Sequence, residues 1–179
     1  GLLTYEEALA IREKEDELKR TVDGYQSSII MPQLGFQERV LRCNADILFI
    51  GGNRGGGKTF SRTLLPLYHV ENERFECAFI RRELGDIDRG GGLWKTSFSV
   101  YEKMAFPTAT NFTWTFKWGS RVRYEHMANE DKADQRFRGQ QIPLIGIDEI
   151  DQIGESTFWL LLSSNRNTAG IKNQIVGTC

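Results

Sequence analysis

The stretch Ile47-Leu48-Phe49-Ile50-Gly51-Gly52-Asn53-Arg54-Gly55-Gly56-Gly57-Lys58-Thr59 contains an apolar run, a glycine-rich turn and the start of a polar segment. From Gly52 onward it matches the pattern G-x-x-x-x-G-K-[ST] at every fixed position. The order predicts a buried strand, a phosphate-binding loop and a helix. Glycines let successive backbone N–H groups converge on phosphate oxygens, and a helix start adds unpaired donors. The stretch therefore predicts a nucleoside triphosphate site.

Each residue of this loop has an expected task. Lys58 is expected to reach the β- and γ-phosphates, and the Thr59 hydroxyl is expected to bind Mg²⁺. The remaining phosphate-binding positions are Gly52, Asn53, Arg54, Gly55, Gly56 and Gly57. A glycine-rich surface loop is the alternative, but the apolar strand ahead of the match and its complete spacing favour a nucleotide site.

Two acidic residues end the apolar run Ile142 to Ile147. In open α/β sheets, ligands bind at the carboxyl ends of the strands. Asp148 is therefore expected to hold Mg²⁺, often through water, and Glu149 to polarise the attacking water. A plain strand end is the alternative, and the phosphate loop upstream favours the catalytic interpretation.

A glutamine precedes the loop in the segment Met31 to Leu41. The amide of Gln37 carries the donor and the acceptor needed to bind the adenine edge, with Phe36 packing nearby. An amphipathic helix with Phe36, Val40 and Leu41 in the core explains the same pattern equally well. Both interpretations stay open at this stage.

Composition limits the class of protein. The 179 residues are 40% hydrophobic and 26% charged, which indicates a soluble globular domain. The formal net charge of -1 gives no overall field that attracts nucleic acid, so any DNA contact needs a local patch or assembly.

Compartment is also predicted from the sequence. Three scattered cysteines indicate neither a disulfide framework nor a zinc site, and each is expected to serve as a small apolar residue in a reducing compartment. No apolar run approaches the ~20 residues that cross a bilayer, and the acid-rich N-terminus is unlike a signal peptide. We therefore expect an intracellular protein without a membrane segment.

The rest of the chain alternates helical and strand patterns. After the loop we expect a helix that Pro66 kinks or ends, a strand at 75–80, a polar mobile loop at 84–92 and a helix at 94–104. Further on we expect the strand 142–147, a helix at 156–164 and a last strand at 174–179. Arg81 and Arg82 fit a solvated strand end or, less simply, a phosphate or DNA contact.

Alternating aromatic and polar residues at 112–118, then Gly119 and a basic strand, predict a hairpin. Nucleic-acid stacking is an alternative use of that pattern, and a half-buried hairpin at the sheet edge explains it more simply. Together the elements predict a doubly wound α/β fold of the P-loop NTPase class. It would be a three-layer sandwich with a mostly parallel central sheet and an antiparallel edge hairpin.

With these motifs in order, the chain resembles the ATPase domain of the phage terminase large subunit, the motor that packages viral DNA into a procapsid. The resemblance runs from about Leu34 to Cys179. It rests on Gly51, Gly52 and Arg54 in the loop, Arg138-Gly139 ahead of the strand ending in Asp-Glu, the phenylalanine-bearing helix before Asn165-Arg166-Asn167, and the final strand running into Thr178-Cys179.

That resemblance implies a RecA-like, additional-strand fold and specific roles. Gln37 matches an adenine-reading glutamine, Asp148 a metal carboxylate and Glu149 a catalytic base. Thr178 and Cys179 match a coupling motif that senses the γ-phosphate.

An arginine finger is implied as well. Arg138 matches a position proposed to act on the neighbouring subunit, and an arginine placed against γ-phosphate charge is worth ~10³–10⁵ in rate. A surface residue at the mouth of a strand is the simpler interpretation of Arg138. Arg54, inside the loop, is the rival candidate and would act on its own subunit's nucleotide.

The implied substrate and cofactor are ATP and Mg²⁺. The implied partners are double-stranded DNA, other copies in a homo-oligomeric ring on the portal of a procapsid, and a small terminase subunit, all in the host-cell cytoplasm. The expected organisation is an N-terminal helical arm at 1–33 and an ATPase domain at 34–179, without the family's C-terminal nuclease domain. The helix expected at 4–24 either packs on the core or meets a neighbour.

Other functions fit parts of the sequence. A DEAD-like helicase is similar because Asp148-Glu149-Ile150-Asp151 fits D-E-x-D, but such enzymes need a second lobe. A nucleotide-dependent switch without turnover is disfavoured because no motif residue is degenerate. A small-molecule kinase would need an acceptor pocket and lid arginines that the sequence does not display.

Overall fold

The structure is a computed structural model that describes residues 30, 32–52, 56–83, 85–88, 92–127 and 136–179. Three loop residues with predicted phosphate or finger roles, Asn53, Arg54 and Gly55, lie outside the described residues. The helix predicted at 4–24 and most of the arm predicted at 1–33 do so too, and these expectations remain predictions.

Helices and strands alternate along the described chain. The helices are α1 Phe36–Arg42, α2 Lys58–Leu64, α3 Gly85–Asp88, α4 Leu93–Tyr101 and α5 Glu155–Ser164. The strands are β1 Ile47–Ile50, β2 Glu76–Arg81, β3 Ala105–Thr108, β4 Thr113–Phe116, β5 Arg121–His126, β6 Leu144–Ile147 and β7 Gln174–Thr178. Single 3₁₀ turns cover Leu65–Tyr68, Ala109–Asn111 and Ile150–Gln152.

One seven-stranded sheet has the order β1-β7-β6-β2-β5-β4-β3. The pairs from β1 to β5 are parallel, and β4 pairs antiparallel with both β5 and β3. The phosphate loop follows β1 and the Asp-Glu pair follows β6, with β7 between the two strands. All three strands point the same way, so their carboxyl ends meet at one edge of the sheet.

Apolar side chains cover both faces of the sheet. In β2, Cys77 and Phe79 pack with side chains from α1, α2 and α4, whereas Ala78 and Ile80 pack with Leu161 of α5 on the other face. This alternation is the period of two that a strand imposes. The predicted α/β fold, with a mostly parallel sheet between helical layers, is confirmed.

Several local predictions are confirmed and others are wrong. Pro66 does end α2, because it opens the 3₁₀ turn Leu65–Tyr68. The predicted mobile loop at 84–92 contains α3, whose Ile87 is fully buried. An apolar side chain inside a polar, glycine-rich stretch is a weak periodic signal, which explains the error.

The predicted hairpin exists, with Gly119 at φ 98 in its turn. It does not end the sheet, because β5 pairs with β2 and an unpredicted strand, β3, pairs with β4 at the edge. Pro107 lies within β3 and weakened the strand pattern, because proline is excluded from central strands. The expectation of apolar cysteines holds for Cys77, which is buried, whereas Cys179 is exposed. Among the described helices, none is long and apolar enough to cross a membrane.

Candidate nucleotide-binding site

A cleft of about 400 Å³ lies at the carboxyl edge of β1, β7 and β6. Seven residues predicted from sequence line it: Gly52, Lys58, Thr59, Asp148, Glu149, Thr178 and Cys179. Arg81, Asp151 and Gln152 complete the lining. The structure therefore brings together motifs separated by more than half the chain.

Two larger cavities, of about 500 Å³ each, lie elsewhere. One reaches the amino ends of β6 and β7 at Leu144 and Gln174, and the other lies along β5. Neither is lined by a predicted site residue. The smaller cleft is the candidate site because it is lined by the charged and polar side chains predicted to bind nucleotide. The volume of a cavity alone does not indicate its function.

Helix α2 sets the position of the loop lysine. Gly57 caps the helix in the left-handed conformation at φ 75, and a Cβ there would collide with the amide of Gln37. The left-handed backbone favours glycine here, and any larger residue would also require the Gln37 amide to move. Lys58 begins the helix, and its Nζ donates to the carbonyls of Gly52 and Cys179, the latter at 2.7 Å.

Gln37 lies on α1, directly against the end of the phosphate loop. Its side chain is buried, with 4% of the residue exposed, and its Oε1 accepts the Gln33 N–H at 2.8 Å. Val40 of the same helix is also buried, as the amphipathic interpretation expects. Gln37 does not line the described cleft, so its adenine-binding role remains a prediction.

Asp148 is held by three donors. Its Oδ1 accepts Arg62 Nη2 at 2.9 Å and the Thr178 hydroxyl at 2.7 Å, and its Oδ2 accepts Arg81 Nη1 at 2.9 Å. Arg62 Nη1 also donates to Thr178 Oγ1 at 3.0 Å, which joins α2, β6 and β7. A carboxylate offers about four lone-pair directions, so one remains for a further ligand.

Electrostatics keep Asp148 ionised. Burial alone would raise the pKa of its carboxyl, but the charge of Arg62, the Thr178 hydrogen bond and the charge of Arg81 together outweigh it. The pKa of Asp148 is therefore below its ordinary value. An anionic oxygen at this edge suits a divalent cation.

Glu149 is also engaged at both oxygens. Oε1 accepts Arg81 Nη2 at 2.8 Å, and Oε2 accepts Gln152 Nε2 at 2.9 Å. The backbone of Glu149 is left-handed, at φ 51, which is uncommon for a residue with a side chain. Such strain concentrates at functional sites, where the surrounding structure maintains it.

The described donor set fits Mg²⁺. The Thr59 hydroxyl and the Asp148 carboxylate line one cleft, and Mg²⁺ is usually held by one or two carboxylates together with substrate phosphates. Within the described residues, no group of three or more His, Cys, Asp or Glu side chains forms an all-protein metal cage. The two oxygens fit a metal whose remaining ligands are phosphate and water.

Arg138 lies away from this cleft. It is exposed in the turn that precedes β6, and it is not among the residues lining the cleft. This placement neither supports nor contradicts a contact with a neighbouring subunit, so the finger role remains a prediction. Arg54, its rival, lies outside the described residues.

Sequence reasoning missed two arginines. Arg81 is not the solvated strand end that we expected, because it bridges Asp148 and Glu149 with 19% of its side chain exposed. Arg62 is fully buried at 1%. The position of Arg62 between Phe60 and Leu64-Leu65 could have indicated a buried charge. Its partners could not be predicted, because they depend on the order of the strands.

Comparison with known protein families gives one match. The family described as terminase large subunit, T4likevirus-type, N-terminal, matches residues 49–179. That range includes the whole phosphate loop, the Asp-Glu pair and β7. No curated protein sequence matches the chain significantly.

Solved structures share the fold. The large terminase of the thermophilic bacteriophage D6E superposes with a TM-score of 0.61 at 13% identity, covering 80% of this chain and 38% of that one. The HK97 bacteriophage large terminase gives 0.60 at 11% identity, covering 83% and 33%. The ATPase domain of the Thermus phage P74-26 large terminase gives 0.56 at 13% identity, covering 82% and 64%.

The chain thus spans 33–38% of the length of the first two large terminases that it matches. At these identities the superpositions show a shared fold. Because the family match extends over most of the chain, the chain belongs to the family of terminase large subunits of the T4-like-virus type, and it matches their N-terminal region.

Proposed function

We propose that the chain is the ATPase motor part of a terminase large subunit, hydrolysing ATP to drive double-stranded DNA into a procapsid. One observation carries the proposal: the loop lysine, the Thr59 hydroxyl, the Asp148–Glu149 pair and Thr178 line a single cleft. Apart from Thr178, these are the groups that P-loop NTPases use for phosphoryl transfer to water. Family membership favours the motor over a helicase or a switch module.

Nucleotide binding is supported by relatives of the same fold. The D6E large terminase has been solved in complex with ADP and in complex with ATP-γ-S. In this chain, the ammonium of Lys58 would leave its carbonyl partners for the β- and γ-phosphates. The N–H groups at the start of α2 would donate to the same phosphates.

Mg²⁺ would be held by Thr59 and Asp148, and when bound it neutralises charge on the phosphates and fixes their orientation. Arg62 and Thr178 both donate to Asp148 Oδ1, so the orientation of the carboxylate is set before the cation binds. Preorganised groups of this kind need no rearrangement during the reaction.

Glu149 would accept the proton of the attacking water. Both of its oxygens already accept hydrogen bonds, from Arg81 and Gln152. A carboxylate offers about four lone-pair directions, so Glu149 can accept a water in addition to these two bonds. Arg81 would hold the base beside the metal ligand, because the same guanidinium also binds Asp148.

Assembly supplies the remaining parts of the proposal. A homo-oligomeric ring on the portal would place Arg138, exposed on each copy, against the γ-phosphate of its neighbour. Double-stranded DNA would pass through that ring, and a small terminase subunit would deliver it. Thr178 and Cys179, next to the cleft on β7, would pass nucleotide state to the parts that grip DNA.

The test is steady-state ATPase activity against protein concentration, with and without double-stranded DNA. We expect activity per molecule to rise with concentration in the wild type and Arg138→Ala to flatten that rise. The matched control is Arg166→Ala, because Arg166 is also exposed and its Nε donates to the Gln140 carbonyl. Constant activity per molecule and an unaffected Arg138→Ala would contradict a site completed between subunits.

A further inference from the structure

Among the described residues beside the cleft, Arg62 is the most deeply buried charged residue. It lies on α2, one turn beyond Lys58, and only 1% of its side chain is exposed. Residues four apart on a helix share a face, so Lys58 points into the cleft while Arg62 lies beneath it. A buried ion pair often adds no stability over an apolar replacement, so burial of Arg62 calls for another explanation.

The surroundings of Arg62 form a built socket. Its guanidinium carbon lies 5.6 Å from the centre of the Phe79 ring. Gly146 of β6 leaves the room for this packing, because a Cβ there would collide with Phe79 and lie 3.1 Å from Arg62 Cδ. The stem is therefore tightly packed, and the guanidinium donates to Asp148 and Thr178.

These hydrogen bonds join Asp148, which follows β6, to Thr178 of β7. Nη2 donates to Asp148 Oδ1 and Nη1 to Thr178 Oγ1, while the Thr178 hydroxyl donates to the same Asp148 oxygen. The three groups form a closed triangle. Motion of any one of them changes the hydrogen bonds of the other two.

We propose that Arg62 is a positioning residue that holds the Asp148 carboxylate and the Thr178 hydroxyl together as one unit. Metal-dependent nucleotide binding at Asp148 then changes the hydrogen bonds of Thr178 on β7. The inference rests on the proposed function, because it takes Asp148 as the Mg²⁺ ligand. It goes further by assigning the link between that ligand and Thr178 to one buried side chain. Lysine cannot replace it, because an ammonium lacks the planar fork that reaches both partners.

The experiment compares affinity for ATP-γ-S in the presence of Mg²⁺ and in EDTA, by calorimetry on the 179-residue chain. Residues that orient metal ligands typically change metal affinity by about 10–100-fold when replaced. Arg62→Met and Arg62→Lys should weaken Mg²⁺-dependent binding by about that factor. Binding in EDTA, which relies on Lys58 and the loop, should change by less than about twofold. Arg121→Met, at an exposed arginine paired with Glu76, is the matched control and should change neither.

Thr178→Val provides a second route that leaves the Arg62 socket filled. If the three groups act as one unit, Thr178→Val should produce the same Mg²⁺-selective loss. The double variant Arg62→Met with Thr178→Val should then bind ATP-γ-S in Mg²⁺ no more weakly than the single variant with the greater loss. If the loss of affinity in the double variant equals the product of the two single losses, the linkage is contradicted, because the free-energy effects of independent sites add.

Three further results would overturn the inference. If the Arg62 variants bind ATP-γ-S equally weakly with and without Mg²⁺, Arg62 only supports the packing of the domain. Full recovery in Arg62→Lys would show that charge suffices without orientation. A wild type that binds ATP-γ-S in neither condition would refute the proposed function itself, and the inference would fall with it.

Discussion

The two halves of the sheet bury different kinds of side chain. In the parallel half, the layer beneath the carboxyl edge of β6 and β7 contains Arg62, Asp148 and Thr178, all buried and joined by hydrogen bonds. In the antiparallel half, the layer between the sheet and α4 is aromatic. Its rings belong to Trp94, Phe98, Tyr101, Trp114, Phe116 and Tyr124, with centroid separations of 4.8–5.8 Å.

The difference separates chemistry from stability. Aromatic burial is the larger source of folding free energy, since each ring removes much apolar surface from water. Buried charges contribute less, but they fix directions for the groups that line the cleft. Variants in the parallel half should therefore change activity first, and variants in the aromatic half should change stability first.

The largest effect is expected on turnover. Lys58→Ala removes the cation expected on the phosphates, so kcat/KM for ATP should fall by about 10³-fold, roughly 4 kcal/mol of barrier. Unfolding free energy should change by only about 1 kcal/mol, because two carbonyl hydrogen bonds are lost. Phosphate release and urea unfolding on the same samples measure both. Lys117→Ala, at a lysine that packs on Trp118, is the control, and a Lys58→Ala variant with normal turnover would refute the site.

A comparable effect on stability is expected in the aromatic half. Trp114 is fully buried and donates to Ser97 Oγ at 2.8 Å. Trp114→Ala should lower the unfolding free energy by about 4 kcal/mol. The matched substitution Trp159→Ala, at a ring that is 57% exposed, should change it by less than about 0.5 kcal/mol. Equal losses in urea unfolding would show that the comparison between buried and exposed rings is wrong.

The smallest expected effect is the pH dependence of the buried charges. Because the pKa of Asp148 is depressed in the folded chain, its ionisation stabilises the fold above the unfolded pKa of about 3.9 and ceases to do so as pH falls through the folded value. At pH 7, Asp148→Asn should lower stability by roughly 2–3 kcal/mol, a little less than full removal of a buried partner. Below pH 4 the gap between variant and wild type should narrow in urea unfolding. A gap independent of pH would mean that Asp148 acts through shape alone.

Sequence reasoning reached as far as local chemistry allows. Lys58, Thr59, Asp148 and Glu149 were predictable because each is defined by its own motif and strand end. Their convergence was predictable from the rule that ligands bind at the carboxyl edge. Arg81 and Arg62 were not, because their partners depend on the order β7-β6-β2, which brings Arg81 opposite Asp148.

Other misses have the same physical origin. Strand β3 depends on pairing with β4 rather than on its own residues, since Pro107 and the exposed Phe106 give it a weak strand pattern. Tertiary context outweighs propensity in such short strands.

The most direct test of hydrolysis at this cleft is Glu149→Gln, measured for both Mg²⁺–ATP binding and phosphate release. The substitution keeps the size of the side chain and removes the base. Binding should stay within about threefold of wild type while turnover falls by about 10²–10⁴-fold. Glu102→Gln, at an exposed glutamate beyond α4, should behave as wild type in both assays. If Glu149→Gln hydrolyses ATP at the wild-type rate, Glu149 is not the base and the account of the cleft is wrong.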